Sequence, residues 1–440
     1  MIRPQAISGF PENLPDKQIL EEKFKEIIKK NYSLSGFTTI DTPIVERLDI
    51  LTSKGADDNE IYGIHRINGD LGDNDSLGLR FDLTVPLARY VAQYEGELVF
   101  PFRRQHISRV YRGERPQKGR YREFYQADVD IIGNGKLPLF ADIEVISTIY
   151  NSLEELDFGD FVVNINNKKF LEGFLDTLGI EKKAETISVI DKKDKVRGDK
   201  LKEMFLAVPL LEKQIEKIEE FIRFGEEKTS EEILTFYSQF DNELLKTGVK
   251  ELEYVFSNLL ALGVDKEAIK INPSISRGLN YYTGTVFETF IVGAEKMGSI
   301  CSGGRYEDLC SNFTKNSYPG VGGSIGLSRL IAILDNLGKI KLEEKTITQV
   351  MVVNMGDDYL EDYLNIVKKV RALGINTELF LDSSVKIQKQ LKYANNKKIP
   401  FVIIVGEEEI AKNVIQLKNL KKGEQIELKV SELEKNKFIK

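Results

Sequence analysis

The chain has 440 residues, 41% of them hydrophobic and 30% charged, with a net charge of −7; at roughly 150 residues per domain this is about three folding units, not a single small module. No apolar run reaches the ~20 residues that span a bilayer, and the start Met1-Ile2-Arg3-Pro4-Gln5 lacks the basic and apolar regions of a secretory signal, so a cytoplasmic location and no membrane partner are expected. Two cysteines, Cys301 and Cys310, cannot build a disulfide framework, and without a CxxC pair or more than the two histidines His65 and His106 no structural zinc site is expected.

In chain order, Ile19, Leu20, Phe24, Ile27 and Ile28 recur at helical intervals and predict an amphipathic helix over 17–32. The β-branched segment 37–43 ends at Pro43, which suits a strand at a sheet edge or end. Residues 77–133 read as strands and turns broken by one helix near 84–94, followed by a helix over 138–157 and a strand over 160–166. From about 170 to 266 helical periodicity dominates, as in an inserted helical subdomain, and strand-and-glycine segments return over 268–328. Short apolar runs at 349–355, 375–381 and 400–405 alternate with helical stretches 357–373 and 384–396, the pattern of a small α/β domain. Residues 345–440 hold 17 Lys and Arg against 13 Asp and Glu, a net of +4 that leaves −11 for residues 1–344. The last quarter is therefore a separate electrostatic unit.

The common phosphate signatures are missing, since there is no GxxxxGK[ST] and Gly320-Val321-Gly322-Gly323-Ser324-Ile325-Gly326 breaks the GxGxxG spacing. Segment 109–133 reads instead as a hairpin around Pro116 and Gly119. Side chains of one parity share a strand face, so Arg120, Arg122, Phe124, Gln126, Asp128 and Asp130 should lie together, with Tyr121, Tyr125, Ala127, Val129 and Ile131 opposite. Arg112 and Glu114 share a face on the first arm by the same rule. Arginine forks, an aromatic plane, an amide and carboxylates suit a flat, charged ligand, although an exposed strand face laced with ion pairs would read the same way. Alternation also groups Arg80, Asp82 and Thr84, an acceptor pair for an ammonium group beside a cation. Ser276 to Gly284 combines Arg277 with Tyr281 and Tyr282, and 322–330 runs from a glycine-rich strand into a helix carrying Arg329.

Together these segments resemble the class II aminoacyl-tRNA synthetases and, among them, the histidyl-tRNA synthetase family, over nearly the whole chain. Segment 37–47 is similar to the dimer-forming first motif, 109–133 to the second and 320–330 to the third, while RGLNYYTG at 277–284 and CSGGRY at 301–306 resemble the two histidine-specific motifs. One departure is Asn280, where the family usually has aspartate.

The resemblance implies an α+β fold: an antiparallel-sheet catalytic core over 1–169 and 267–335, a helical insertion over 170–266, and a C-terminal α/β anticodon-binding domain over 345–440. It implies that L-histidine is joined to histidine tRNA with ATP and Mg²⁺, through an adenylate, by a homodimer. Arg112 and Arg277 would be catalytic, and Glu114, Phe124 and Arg329 would join Arg112 on ATP. Asp82, Thr84, Gln126, Asp130, Tyr281, Tyr282 and Tyr306 would bind histidine with Arg112 and Arg277. Mg²⁺ would be held mainly by ATP phosphates, with no protein metal ligand assigned. Arg115 and Gln117 would approach the tRNA acceptor end, and Lys386, Lys389 and Lys392, in a stretch with no acidic residue between 386 and 398, would track its phosphates. The alternative is a non-catalytic paralogue, the regulatory subunit of ATP phosphoribosyltransferase, whose forms usually lack the C-terminal domain. His65 and His106 match no motif and are expected to be structural or surface residues, and the cysteines packing residues.

Overall fold

The computed structural model describes residues 2–53, 60–67, 76–117, 119–193, 196, 199–276, 282–307, 309–342 and 344–438. Its strands are β1 (Thr38–Thr39), β2 (Val45–Arg47), β3 (Gly63–Ile64), β4 (Leu77–Leu79), β5 (Phe102–Tyr111), β6 (Glu123–Ile132), β7 (Phe161–Asn167), β8 (Ile269–Ile271), β9 (Tyr282–Ile291), β10 (Cys301–Tyr306), β11 (Gly320–Ile325), β12 (Val350–Val352), β13 (Thr377–Leu379), β14 (Phe401–Ile404), β15 (Val414–Asn419) and β16 (Gln425–Lys429). The α-helices are α1 (Pro15–Leu34), α2 (Leu48–Leu51), α3 (Thr84–Gln93), α4 (Phe140–Glu155), α5 (Lys168–Thr177), α6 (Lys183–Ile190), α7 (Asp199–Leu206), α8 (Glu212–Glu227), α9 (Ser230–Tyr237), α10 (Glu243–Ala261), α11 (Leu327–Asn336), α12 (Leu360–Ala372), α13 (Ile387–Asn396) and α14 (Glu407–Lys412). Among the described residues no helix is long and apolar enough to cross a membrane.

The architecture is α+β. Contacts group the chain into two units, Met1–Glu12 with Phe24–Ile340 and Asn13–Lys23 with Lys341–Lys440. The first is built on an eight-stranded sheet in the order β1-β5-β6-β11-β10-β9-β7-β8. Its inner pairs are antiparallel, and the outermost pairs, β1–β5 and β7–β8, are parallel. The hairpin β5–β6 runs in unbroken register from Phe102↔Ile132 to Tyr111↔Glu123. Its odd residues Ala127, Val129 and Ile131 are buried, while α4 and α11 pack against β6 and β11. That burial fixes the parity, because a slip of one residue would turn the apolar set to the other face.

Helices α5 to α10 fill the chain between β7 and β8, two adjacent parallel strands. In the second unit the order is β13-β12-β14-β15-β16. Here Val350 and Val352 pack with Tyr363 and Ile366 of α12, whereas Met351 and Val353 pack with Ala394 of α13. Strand β12 is thus covered on both faces, which accounts for its uninterrupted apolar run.

Two local readings differ from the sequence expectation. Of 37–43 only Thr38–Thr39 pairs as a strand, at the sheet edge. Strand β4 stops at Leu79, so alternation does not govern 80–84, and Arg80 is fully buried with Nη1 on the Thr42 carbonyl at 2.5 Å and Nε on the Arg109 carbonyl at 2.9 Å. It braces β5 and is not paired with Asp82 and Thr84 as a cation. Strand β16, at the sheet edge, is mostly exposed and carries Glu427 and Lys429, charges that guard an open edge.

Candidate active site

A cavity of about 310 Å³ opens on the sheet face that carries the even residues of β6. Arg112, Glu114, Phe124, Gln126, Tyr282 and Arg329 line it, so six residues scattered over more than two hundred positions meet at one cavity. The Arg112 guanidinium donates from Nε to the Phe81 carbonyl at 3.0 Å and lies 5.2 Å from the Phe124 ring centroid. Arg120 reaches Glu114 at 3.4 Å, an exposed contact. Gln126 donates from Nε2 to Ser324 Oγ at 2.7 Å. Its Oε1 is buried without a hydrogen-bond partner among the described residues, an acceptor available to an ammonium group. Arg329, in the first turn of α11, donates to the Met297 carbonyl at 2.8 Å.

Tyr121, expected on the opposite face, also lines this cavity. Regular pairing of β6 begins only at Glu123, so strand parity does not extend back to 120–122. Arg122 is turned to the Glu114 carbonyl at 3.1 Å and belongs to the loop.

Asp82, Thr84, Asp130 and Tyr306 do not line this cavity; Asp130 and Tyr306 belong to a buried charge cluster around Arg104. Asp130 receives the Tyr306 hydroxyl on Oδ1 at 2.8 Å and lies 2.7 Å from Arg104 Nη2 through Oδ2. Strand β11 lets the carboxylate lie this close, since a Cβ on Gly322 would sit 1.9 Å from Asp130 Oδ1. Burial pushes the Asp130 carboxyl up, and Arg104 and the Tyr306 hydroxyl pull it back. Asp82 is also pushed up by burial, against the Val85 amide at 3.0 Å and the fields of Arg112 and Arg104. Thr84, half-buried, opens α3 beside it.

Asp128, one pleat along, is pushed up to about 7, by burial first, with Arg104 opposing and Asp130 adding to the rise. A carboxyl raised on folding keeps a proton that the unfolded chain has lost. Its contribution to stability is therefore full below an ordinary pKa of 3.8 and declines until pH passes about 7, by up to about 1.4 kcal/mol per pH unit. In urea unfolding, the parent should lose more stability between pH 5 and pH 8 than Asp128→Asn does. Equal losses would show that Asp128 does not titrate there. His106 works with the opposite sign: burial, then Arg104, holds it down to about 4, beside Asp41 at 2.8 Å. It is a neutral structural histidine, while His65 is exposed.

Arg277 and Tyr281 lie outside the described residues. Arg115 and Gln117 are exposed on the loop between β5 and β6, and Lys386, Lys389 and Lys392 are exposed at and along the start of α13. Lys397, from the same lysine stretch, is held by Glu378 at 2.9 Å and is no free phosphate ligand. Arg305 of the CSGGRY segment turns away to a buried pair with Asp142 at 2.7 Å. Both cysteines are buried, Cys301 in the cavity wall.

Sequence reading missed two buried charged residues. Arg104 has the parity of Arg112, just past β5, and Glu288 the parity of Tyr282 along β9; alternation assigns their face but not their burial. Glu288 lines the cavity and is 3% exposed. Among the described residues no group of three or more His, Cys, Asp or Glu is placed to hold a metal ion.

Comparison with known proteins agrees with this geometry. The profile of histidyl-tRNA synthetase matches residues 9–330, and that of an anticodon binding domain matches 349–436. The histidine–tRNA ligase of Finegoldia magna is 41% identical over 435 residues, covering 98% of this chain and 99% of that one. The ligase of Clostridium tetani is 42% identical over 437 residues, with coverages of 98% and 97%. The crystal structure of histidyl-tRNA synthetase from Nostoc sp. PCC 7120 superposes with a TM-score of 0.90 at 38% identity, covering 98% of each chain. An ATP phosphoribosyltransferase regulatory subunit/histidyl-tRNA synthetase from Bacillus halodurans covers 91% of this chain and 97% of its own at TM-score 0.74 and 22% identity, a likeness of fold alone. Full-length relatives above 40% identity outweigh it, and the regulatory alternative is not favoured. With a matching profile across the sheet, the cavity and α11, the chain belongs to the histidyl-tRNA synthetase family.

Proposed function

We propose that this chain is a histidine–tRNA ligase that activates L-histidine with ATP as histidyl-adenylate and transfers it to histidine tRNA. The observation that carries this reading is the convergence of Arg112, Glu114, Phe124 and Arg329 on one cavity, with Gln126 and Tyr282 in its wall. A histidine carboxylate oxygen attacks the α-phosphorus, the bond to the bridging oxygen breaks, and pyrophosphate leaves. Charge grows on phosphoryl oxygens, so fixed cations are the effective catalysts. Arg112 serves the α-phosphate and the amino-acid carboxylate, Phe124 the adenine face, Glu114 the adenine edge and Arg329 the γ-phosphate, with Arg277 as a second cation for the α-phosphate. Asp82, Thr84 and Gln126 receive the ammonium group, and Asp130, Tyr282, Tyr281 and Tyr306 form the imidazole side. Mg²⁺ would be bound mainly through the ATP phosphates, where it would add charge neutralisation. ATP-dependent pyrophosphate exchange with each of the twenty amino acids tests the reading: histidine alone should support strong exchange, and equal exchange with another amino acid would overturn it.

Segments 1–169 and 267–335 form the catalytic core in this reading, 170–266 the insertion and 345–440 the anticodon-binding domain, in a cytoplasmic homodimer joined through 37–47. The terminal ribose hydroxyl of the tRNA then attacks the adenylate carbonyl and AMP leaves, with Arg115 and Gln117 at the acceptor end. The +4 charge of 345–440 and the exposed Lys386, Lys389 and Lys392 support a phosphate-tracking face. Changing all three to Gln should flatten the slope of log K against log salt for tRNA by somewhat under one unit per lost contact. Filter binding across a salt series reads this, and a parental slope would remove these lysines from the interface.

A further inference from the structure

Arg104 is absent from every motif, yet it is among the largest fully buried side chains of the protein. It stands directly opposite Asp130 in the β5–β6 register. Its Nη2 lies 2.7 Å from Asp130 Oδ2 and 3.7 Å from Asp128 Oδ2, and also donates to the Leu83 carbonyl at 3.4 Å. Leu83 sits between Asp82 and Thr84. One guanidinium therefore touches both ends of the amino-acid site, the carboxylate on β6 and the turn that opens α3.

We propose that Arg104 is the positioning residue of the histidine pocket, holding Asp130 as a hydrogen-bond acceptor and tying it to the Asp82–Thr84 turn. The proposal rests on the reading that Asp130 meets the imidazole. Both Asp130 oxygens already accept, one from Tyr306 and one from Arg104. Tyr306, having donated its proton, can itself only accept from a ligand. This end of the pocket therefore demands an N–H. A neutral imidazole offers one N–H and one bare nitrogen, which leaves the bare nitrogen to the Tyr282 hydroxyl in the cavity wall. Without Arg104, two buried carboxylates face each other without their cation. A proton enters the pair, and Asp130 is no longer fixed as an acceptor facing the ligand. The ammonium-binding turn also loses its tie to β6.

Pyrophosphate exchange with Arg104→Met, Arg104→Lys, Asp130→Asn and the double variant Arg104→Lys/Asp130→Asn decides the matter. Arg104→Met should raise the histidine KM by about tenfold or more while the ATP KM stays within about twofold. Arg104→Lys keeps the charge without the planar fork, so its histidine KM should fall between the parent and Arg104→Met. The double variant should be no worse than its worse single, because both changes act through one carboxylate. A parental histidine KM in either Arg104 variant, a joint rise of both KM values, or additive effects in the double variant would overturn the proposal. Should Arg104→Met fail to fold, Arg104→Lys with its double variant carries the same test. A parental histidine KM in Asp130→Asn overturns the reading of the site itself, and the proposal with it.

Discussion

Replacing Arg112 with alanine should lower kcat/KM for adenylate formation by on the order of 10² to 10³, the cost of removing one preorganised charge donor from an enclosed site. The guanidinium is held on one side by the Phe81 carbonyl at 3.0 Å and lies beside the Phe124 ring. It is oriented before substrate arrives, so little reorganisation remains to be supplied at the moment of reaction. Much of the loss should appear in kcat, because charge at the α-phosphate grows between ground state and transition state. Rapid-quench measurement of the first turnover reads it directly. Adenylate forming at the parental rate would reduce Arg112 to a packing partner of Phe124.

Asp130→Ala should reduce kcat/KM for histidine by at least about 2 kcal/mol, roughly thirtyfold, with a smaller change in the ATP KM. Two groups lose their partner at once: the Tyr306 hydroxyl and Arg104 Nη2 both point at this carboxylate. Stability should fall as well, since Arg104 loses its 2.7 Å carboxylate partner and keeps Asp128 at 3.7 Å. Urea unfolding measured on the same preparation separates that fall from the kinetic loss. Unchanged histidine kinetics in a folded Asp130→Ala protein would take Asp130 out of the pocket.

The parts of this molecule that could be read from sequence are those where one local rule acts alone. The hairpin 109–133 and the grouping of Phe124, Gln126, Asp128 and Asp130 follow from alternation against a buried apolar face, and β6 keeps that alternation from Glu123 to Ile132. The helical block between β7 and β8 follows from its periodicity. Alternation failed where a strand ended sooner than its composition suggested, at Arg80 and at Tyr121. It also gave no warning of Arg104, because a lone arginine in a strand reads as surface until its cross-strand partner Asp130 is known. The small sheet of β2, β4 and β3 was equally silent, being built from segments of two or three residues too short to show a period.

The helical excursion between β7 and β8 bears on how the chain reaches its fold. Strand β8 pairs in parallel with β7, Val163 beside Ile269, although the whole of α5 to α10 separates them. The first and last helices of that excursion pack together closely: a Cβ on Gly173 would sit 2.3 Å from the Leu245 amide nitrogen, and one on Gly248 would sit 2.2 Å from that of Phe170. Once α5 and α10 have met, the strands that flank them are delivered side by side. The cost of closing so long a loop is then met by helix packing and not by the sheet. Within the excursion α9 is also tied to the sheet, its Ser230 hydroxyl accepting the Ile271 amide of β8 at 2.9 Å, so the helices between α5 and α10 help to hold β8 in register as well as to bridge the gap.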